Sequence, residues 1–380
     1  MLRKPWTLFA LAALFLGTGT ITSAAAADEE DGHGSFFVAP GGSDTNDCRS
    51  QENPCQTITH AISLAGAGDT VKVEGGTYTE QVKISKQLRL IGDEEPTIDE
   101  AGTSESVGIF IDGANAAGSL VRGFTVKNAY FEGILAMETS HLTIENNVVN
   151  SNDQGFAAQA LGECKSPGAP IPGDCGEGLH LWATTDSRVL NNVVTQNAGG
   201  ILLTDETGPT SGNLISGNTA SDNPFDCGIT VASHSGSGIF NNSITHNVAN
   251  NNGLQGEGAG ILLAGAGPGT AVYNNKVISN SAEGNSLAGL TLHRHAPTSN
   301  LSGNLIIGNR FGTNNLGGDP DFGVFKTTGI LIGSVSPLAG TVVRGNFVHD
   351  DHFGIWTKNV PPIPPGSNHF EDVDVPLMQT

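Results

Sequence analysis

The chain has 380 residues, a formal net charge of −21 and only 17 Lys and Arg residues. This balance argues against nucleic acid and anionic membrane surfaces as partners, because both bind basic proteins. The 52 glycines and a hydrophobic content of 37% are typical of a chain that fills a core between tight polar turns, which excludes a disordered protein.

The first residues have the pattern of a signal peptide. A basic pair, Arg3 and Lys4, precedes a short apolar run and an Ala-Ala-Ala cleavage site that ends at Ala27. We therefore expect residues 1–27 to be removed and residues 28–35 to form an acidic linker. The mature protein is expected to be secreted, periplasmic or on the cell surface, without a membrane span.

Five cysteines in an exported chain predict disulfides. Cys48 and Cys55 bracket six residues, and Cys164 and Cys175 bracket a loop rich in Pro and Gly, so each pair is expected to close its own loop. Cys227 is then left over, and we expect it to be a buried thiol.

The segment from Gln56 to Ala65 is amphipathic with a helical period. Solenoid proteins need atypical terminal units to cover the open end of the core. We expect this helix to cover the N-terminal end of the repeats that follow.

Two short motifs then alternate along the chain. One reads Asn-x-(Val/Ile)-x-x-(Asn/Asp) and begins at Asn147, Asn192, Asn213, Asn242, Asn275, Asn304 and Asn346. The other reads Gly-(Ile/Leu)-x-apolar and begins at Gly108, Gly133, Gly178, Gly200, Gly228, Gly260, Gly289 and Gly329, with a looser copy at Gly354. A period of roughly 22–30 residues with short strands and no helix predicts a parallel β-helix. We expect the seven Asn side chains to stack in one structural ladder.

The segment from Gly68 to Ile98 resembles the opening coils of a large family of secreted right-handed parallel β-helix proteins. It shares a strand beginning Gly-Asp-Thr and then Gly76, Tyr78 and Glu80. The family includes pectin lyases, pectin methylesterases, alginate epimerases and the periplasmic protein NosD. The resemblance implies an all-β fold, a single right-handed parallel β-helix over residues 36–358 with an N-terminal capping helix. Residues 359–380 are expected to form a Pro-rich, acidic tail. The catalytic motifs of the better-known branches are absent from the sequence.

Insertions in the repeats indicate a functional face. The spacing from each Gly to the next Asn is nearly constant, whereas the spacing from Asn to the next Gly varies from 8 residues (Asn192 to Gly200) to 31 (Asn147 to Gly178). All insertions therefore leave from one corner, just before the Gly-Ile strand. Since insertions in repeat proteins collect on the binding face, we expect the outward surface of these strands to be the functional face.

Counting alternate residues along these strands gives the candidate site residues. Glu206 and His234 share an offset on adjacent coils and could form an acid–base dyad. The predicted catalytic set is Glu206, His234, His293 and Arg294, and the predicted substrate-binding set is His180, Trp182, Thr204, Asp205, Thr230 and His295. Trp182 is expected to be an exposed platform for stacking on a sugar.

Metal binding is an alternative for two groups of residues. Carboxylate oxygens are the ligands that Ca²⁺ prefers, so Asp319, Asp321, Asp350 and Asp351 are candidates, although acidic clusters usually lie in solvated loops. In a NosD-like accessory role, His293 and His295 would be the metal ligands.

Three functions remain open at this point. The leading hypothesis is an exported monomeric β-helix that binds or acts on an extracellular carbohydrate polymer. If the protein is an enzyme, the resemblance implies β-elimination or epimerisation of a uronate, with His or Arg abstracting a proton. The alternatives are a non-catalytic surface or matrix scaffold protein and a NosD-like periplasmic accessory protein.

Overall fold

The computed structural model describes residues 33–102, 106–154, 177–364 and 366–380. The predicted signal peptide and the predicted Cys164–Cys175 pair lie outside these residues. Within the described part of the chain, no helix is long and apolar enough to cross a membrane.

The regular secondary structure of the described residues consists almost entirely of short strands. In the N-terminal half these are β1 (Ser35–Val38), β2 (Thr70–Val73), β3 (Thr77–Tyr78), β4 (Val82–Ile84), β5 (Arg89–Gly92), β6 (Thr97–Asp99), β7 (Ile109–Asp112), β8 (Leu120–Arg122), β9 (Thr125–Lys127), β10 (Ile134–Met137), β11 (Thr143–Glu145), β12 (Val148–Asn150), β13 (Glu177–Trp182), β14 (Arg188–Leu190), β15 (Val193–Thr195), β16 (Gly199–Thr204), β17 (Thr210–Ser211) and β18 (Leu214–Ser216). The helix α1 spans Ile58–Leu64, and a 3₁₀ turn spans Ala114–Ala116.

The C-terminal half continues in the same way. Its strands are β19 (Thr219–Ser221), β20 (Ile229–Ser233), β21 (Ile239–Phe240), β22 (Ser243–Thr245), β23 (Ile261–Gly265), β24 (Val272–Tyr273), β25 (Lys276–Ile278), β26 (Ser281–Ala282), β27 (Leu290–Arg294), β28 (Leu305–Ile307), β29 (Arg310–Phe311), β30 (Thr328–Ser334), β31 (Val342–Arg344), β32 (Phe347–His349), β33 (Phe353–Lys358), β34 (His369–Glu371) and β35 (Val375–Gln379).

These strands stack coil upon coil in long parallel sheets. One 11-stranded sheet runs from β1 to β31, and a second 11-stranded sheet runs from β4 to β35. A third side is formed by a 6-stranded and a 4-stranded sheet. Each sheet adds its strands in chain order, which is the arrangement of a parallel β-helix and confirms the predicted fold. We call the sheet from β4 to β35 the Gly-Ile sheet, because its strands contain the Gly-Ile motif.

Alternation within the strands builds the core. In β18 the middle residue, Ile215, points inward and is buried, whereas its neighbours are partly exposed. Its partners in adjacent coils are Val189 and Ile244, so apolar side chains stack along the axis. Burying one such side chain contributes about 1.5–3 kcal/mol. One continuous core runs from Phe36 to Ile363.

The Asn side chains form three ladders rather than the single ladder predicted. One ladder contains Asn147, Asn192, Asn218, Asn247, Asn280, Asn309, Asn346 and Asn368. A second contains Asn152, Asn197, Asn223, Asn252, Asn285 and Asn314 and ends at Asp351. A third contains Asn213, Asn242, Asn275 and Asn304.

The predicted register was wrong because the same motif occurs at successive corners of one coil. Asn213, Asn218 and Asn223 are five residues apart, so Asn-x-Ile-x-x-Asn and its neighbour look alike in sequence. The predicted structural role is nevertheless confirmed. The Asn192 amide, for example, donates to the Ile144 carbonyl at 2.9 Å and to Asn218 Oδ1 at 3.0 Å, so each side chain satisfies the backbone of a turn.

The N-terminal end is closed by α1 as predicted. The helix begins after Thr57, whose hydroxyl caps it, and the Glu80 carboxylate accepts hydrogen bonds from the N–H groups of Ile58 and Thr59 at 2.8 and 2.9 Å. The predicted Cys48–Cys55 disulfide is present. The first strand begins at Ser35, one residue before the predicted boundary.

The C-terminal boundary at residue 358 was wrong. β34 pairs in parallel with β32, and β35 pairs with β33, so the chain completes another coil after the Pro-rich segment. Asn368 extends the first Asn ladder by accepting the Asn346 N–H at 3.0 Å. The acidic tail is therefore part of the β-helix.

Candidate functional site

The predicted outward row of the Gly-Ile sheet has the expected register. The side-by-side residues on successive coils are His180, Leu202, Thr230, Leu262, Thr291, Leu331 and Trp356. Counting from each Gly therefore identified correctly which residues leave the core on this side.

The predicted exposure of the aromatic and imidazole side chains on this face was wrong. Trp182 is 1% exposed, His180 2% and His293 5%. Trp182 packs outside the coil with Phe110 and Phe131, and its indole N–H donates to Thr207 at 3.1 Å. Because Trp182 is buried against these side chains, it is not a flat platform for a sugar.

A chain of polar side chains crosses the N-terminal part of this face, which we call the Glu132–His234 chain. Glu132 Oε1 lies 3.3 Å from His180 Nδ1, and His180 Nε2 lies 2.9 Å from Thr204 Oγ1. Glu206 Oε1 lies 2.7 Å from His234 Nδ1, as the predicted dyad requires. Burial alone would raise the pKa of Glu206, but hydrogen bonds from His234 and Thr204 and the charge of His180 lower it below its usual value. Glu206 is therefore an ionised partner for His234.

Two other predicted binding residues are structural in this geometry. Asp205 is completely buried and accepts hydrogen bonds from Ser233 Oγ at 2.9 Å and from the N–H groups of His234 and Gly238 at 2.8 and 2.6 Å. It organises the turn that carries His234. Thr230 is also buried, so neither side chain presents a surface to a ligand.

Arg294 does not lie ready to abstract a proton. Its guanidinium donates to the carbonyl oxygens of Ser299 at 2.8 Å and Pro337 at 3.0 Å and to Ser336 Oγ at 2.8 Å. These bonds tie two loops to the end of β27. The structure thus gives Arg294 a loop-bracing position in place of the predicted catalytic one.

The second cluster lies at the C-terminal part of the face. We call it the histidine pocket and define it by His293, His295, Asp319, Asp321 and Phe322. His293 Nε2 lies 2.7 Å from Asp319 Oδ2, and His293 Nδ1 lies 3.6 Å from Asp321 Oδ2. His295 Nε2 lies 3.8 Å from the same Asp321 oxygen. One potential ligand atom from each of His293, His295 and Asp321 lies within 4.8 Å of the others.

The pocket opens into a cavity of about 200 Å³ on the outer side of the Gly-Ile sheet. Its other lining residues are Cys227, Glu257, Leu262, Ala264, Leu287 and Pro320. Burial, followed by the proximity of His293, lowers the pKa of His295 despite the opposing charges of Asp321 and Asp319. Cys227 is the buried thiol that we predicted, and burial raises its pKa.

The inserted segment before β30 supplies the acidic half of this pocket. Asp319 is completely buried, and a pair of backbone hydrogen bonds to Val324 closes its turn. The Phe322 ring rests against Gly333, where a side chain would collide with it. The insertion between Asn304 and Gly329 was visible in the sequence, but its contact with His293 was missed, as was Glu132.

The four acidic residues proposed for Ca²⁺ do not gather in one place. Asp319 and Asp321 face the histidines, Asp350 Oδ2 lies 2.8 Å from His349 Nδ1, and Asp351 accepts the Asn314 N–H at 3.1 Å.

Comparison with known proteins identifies one matching family and several solved structures that share the fold. A model of the family described as "Periplasmic copper-binding protein (NosD)" matches residues 67–252 and 173–360, which together cover most of the chain. A curated Bacillus subtilis (strain 168) protein, YwoF, described as uncharacterized, is 41% identical over 56 residues. That match covers 14% of this chain and only 12% of YwoF.

Two solved structures share the fold at low identity. The Dettilon tailspike protein is 14% identical with a TM-score of 0.54, covering 89% of this chain and 68% of that one. The catalytic domain of a GH87 α-1,3-glucanase, in complex with tetrasaccharides, is 13% identical with a TM-score of 0.53, covering 85% of this chain and 64% of that one.

Proposed function

This chain belongs to the family of periplasmic copper-binding proteins (NosD), and we propose that it binds a divalent transition-metal ion such as Cu²⁺ in the histidine pocket, outside the cytoplasm. The observation that carries this proposal is the convergence of His293, His295 and Asp321. The Cys48–Cys55 disulfide supports the location, because disulfides persist in oxidising compartments.

The distances in the pocket suit one ion. Nitrogen and oxygen ligands bind such ions at about 2.0–2.2 Å, so two ligands of one ion lie at most about 4.4 Å apart. The separations of 3.6 and 3.8 Å from Asp321 to the two histidines meet this limit. The third pair, formed by the two histidines, lies within 4.8 Å.

The donor set favours Cu²⁺, Zn²⁺ or Ni²⁺ over Cu⁺. Imidazole and carboxylate ligands suit divalent ions, whereas Cu⁺ prefers thiolates and thioethers. Asp321 supplies a negative charge, and the net charge of −21 raises the local concentration of cations.

The test is calorimetric titration of the mature protein with Cu²⁺. We expect the wild type to bind, and His295→Ala and Asp321→Asn each to weaken binding at least tenfold. His352→Ala is the matched control, because His352 pairs with Asp374 at 2.9 Å in another His–Asp contact. Equal affinity in all four proteins would contradict the assignment.

A second candidate is binding or cleavage of an extracellular carbohydrate polymer at Glu206 and His234. Their 2.7 Å contact favours it, because an ionised carboxylate beside an imidazole can support general acid–base catalysis. The GH87 glucanase with tetrasaccharides bound has this fold, which supports but does not specify the substrate class.

Reducing-end and unsaturated-product assays on a panel of polysaccharides test this candidate. Turnover that disappears in His234→Gln but persists in His352→Gln would support it. Binding without turnover in any variant would favour the scaffold alternative.

A further inference from the structure

Asp319 differs from the other acidic residues of the histidine pocket because both of its oxygens are already engaged. It is completely buried, on the inserted turn before β30. Its Oδ1 accepts the Phe322 N–H at 3.1 Å, and its Oδ2 lies 2.7 Å from His293 Nε2. Asp319 thus faces the rear nitrogen of His293, away from Asp321.

This contact decides which nitrogen of His293 is available. A carboxylate only accepts hydrogen bonds, so the hydrogen of a neutral imidazole must sit on Nε2. Nδ1 then carries a lone pair, and it is Nδ1 that lies 3.6 Å from Asp321 Oδ2 inside the pocket. Ligand histidines commonly donate their other N–H to a carboxylate in this way.

We propose that Asp319 is the positioning residue of the metal site: it fixes His293 in the tautomer whose Nδ1 can bind the ion, while His293, His295 and Asp321 form the ligand set. This inference rests on the proposed metal binding. It assigns Asp319 to the rear of His293 rather than to the ion itself.

Asp319→Asn should reverse the tautomer without removing a side chain. The Phe322 N–H needs an acceptor, so the amide oxygen takes the place of Oδ1 and the NH₂ group faces His293. An NH₂ group donates, so Nε2 must then accept, and the hydrogen moves to Nδ1. The nitrogen that faces Asp321 is thereby blocked.

Two measurements on wild type and Asp319→Asn test the role of Asp319 separately from the proposed metal binding. Long-range ¹H–¹⁵N spectra of the metal-free protein report the tautomer of His293, assigned by comparison with His293→Gln. Binding is measured by titration with Cu²⁺, with the nitrogen couplings in the electron paramagnetic resonance spectrum as the readout. Asp374→Asn, which alters the separate His352–Asp374 pair, is the matched control.

We expect hydrogen on Nε2 in the wild type and on Nδ1 in Asp319→Asn, with Cu²⁺ affinity reduced about 10- to 100-fold and one nitrogen coupling lost. Asp374→Asn should behave as wild type. Hydrogen on Nδ1 in the wild type, or unchanged affinity in Asp319→Asn, overturns the role of Asp319 and leaves metal binding standing. A wild type that binds no Cu²⁺ overturns both.

Discussion

Replacing Asp351 by Asn should stabilise the protein at neutral pH. Asp351 ends the second Asn ladder, where every other rung is an amide. Its Oδ1 accepts the Asn314 N–H at 3.1 Å, as the ladder requires. Its Oδ2 has no hydrogen-bond partner within the described residues. In the preceding rungs the NH₂ group at this position donates to a backbone carbonyl, as Asn314 does to Ala282 at 2.9 Å.

The carboxyl group of Asp351 is therefore stabilised in its protonated form. Burial, above all, raises its pKa to about 8, with a further contribution from Asp350 and an opposing one from the Asn314 N–H. In the unfolded chain the pKa is about 3.9. Below pH 4 both states are protonated and folding carries no penalty from this group. As pH rises from about 4 to about 8, only the unfolded chain releases the proton, so stability falls.

The size of this loss of stability follows from the pH range between the two pKa values. Each pH unit between the two pKa values costs about 1.4 kcal/mol, so between pH 4 and 7 the loss is on the order of 4 kcal/mol. The neutral amide in Asp351→Asn has no such loss and can donate to the carbonyl. At pH 4 the two proteins should differ by less than about 1.5 kcal/mol, in the range of one neutral hydrogen bond.

Urea unfolding of wild type and Asp351→Asn at pH 4.5, 6.0 and 7.5 measures the difference. The gap between the two midpoints should widen steadily with pH, in favour of Asp351→Asn. Asp350→Asn, an exposed neighbour, should retain most of the wild-type slope. A constant gap across the range, or a less stable Asp351→Asn at pH 7.5, would refute the reasoning.

Three further changes test the architecture. Trp182→Ala should lower the free energy of unfolding by about 3–5 kcal/mol, since the side chain is buried; a loss below about 0.5 kcal/mol in urea unfolding would mean that it is exposed after all. Asn242→Ala should lower the free energy of unfolding by about 1–3 kcal/mol in the same assay, because it leaves backbone groups of a turn unpaired. An unchanged midpoint would show that the third ladder does not stabilise the fold. Gly333→Ala should displace the Phe322 ring and weaken Cu²⁺ binding at least tenfold while leaving the circular dichroism spectrum unchanged; wild-type affinity would show that the inserted turn does not need this contact.

The sequence was sufficient for the fold because each coil repeats the same physical requirements. A Gly at the start of each Gly-Ile strand shows which of the following residues point into the core and which point outward. The outward row from His180 to Trp356 could therefore be identified correctly. The Asn ladders were misaligned because successive corners need the same amide and therefore share one motif. The last coil was missed because a Pro-rich segment separates Asn368 from the repeats before it.

The candidate site was harder to predict because insertions have no repeat to align them. Glu206 and His234 occupy equivalent positions on adjacent coils, so their pairing could be predicted from the sequence. The structure places the two side chains in contact. The partner of His293 comes from an inserted turn, so no offset could relate Asp319 to it. The exposure of the outward side chains was predicted wrongly for the same reason. Whether an insertion projects outward or folds over the sheet depends on contacts such as that of Phe322 with Gly333.

The three Asn ladders also define the unit in which this chain can change length. A coil presents the same amide groups to the coil before it and to the coil after it, so a whole coil can be removed without breaking the amide ladders. Deleting residues 242–274 would join Asn241 to Asn275 and place Asn275, Asn280 and Asn285 under Asn213, Asn218 and Asn223. We expect that shortened chain to keep the β-sheet circular dichroism of the parent. A deletion one residue longer would shift Lys276 into a corner and should not.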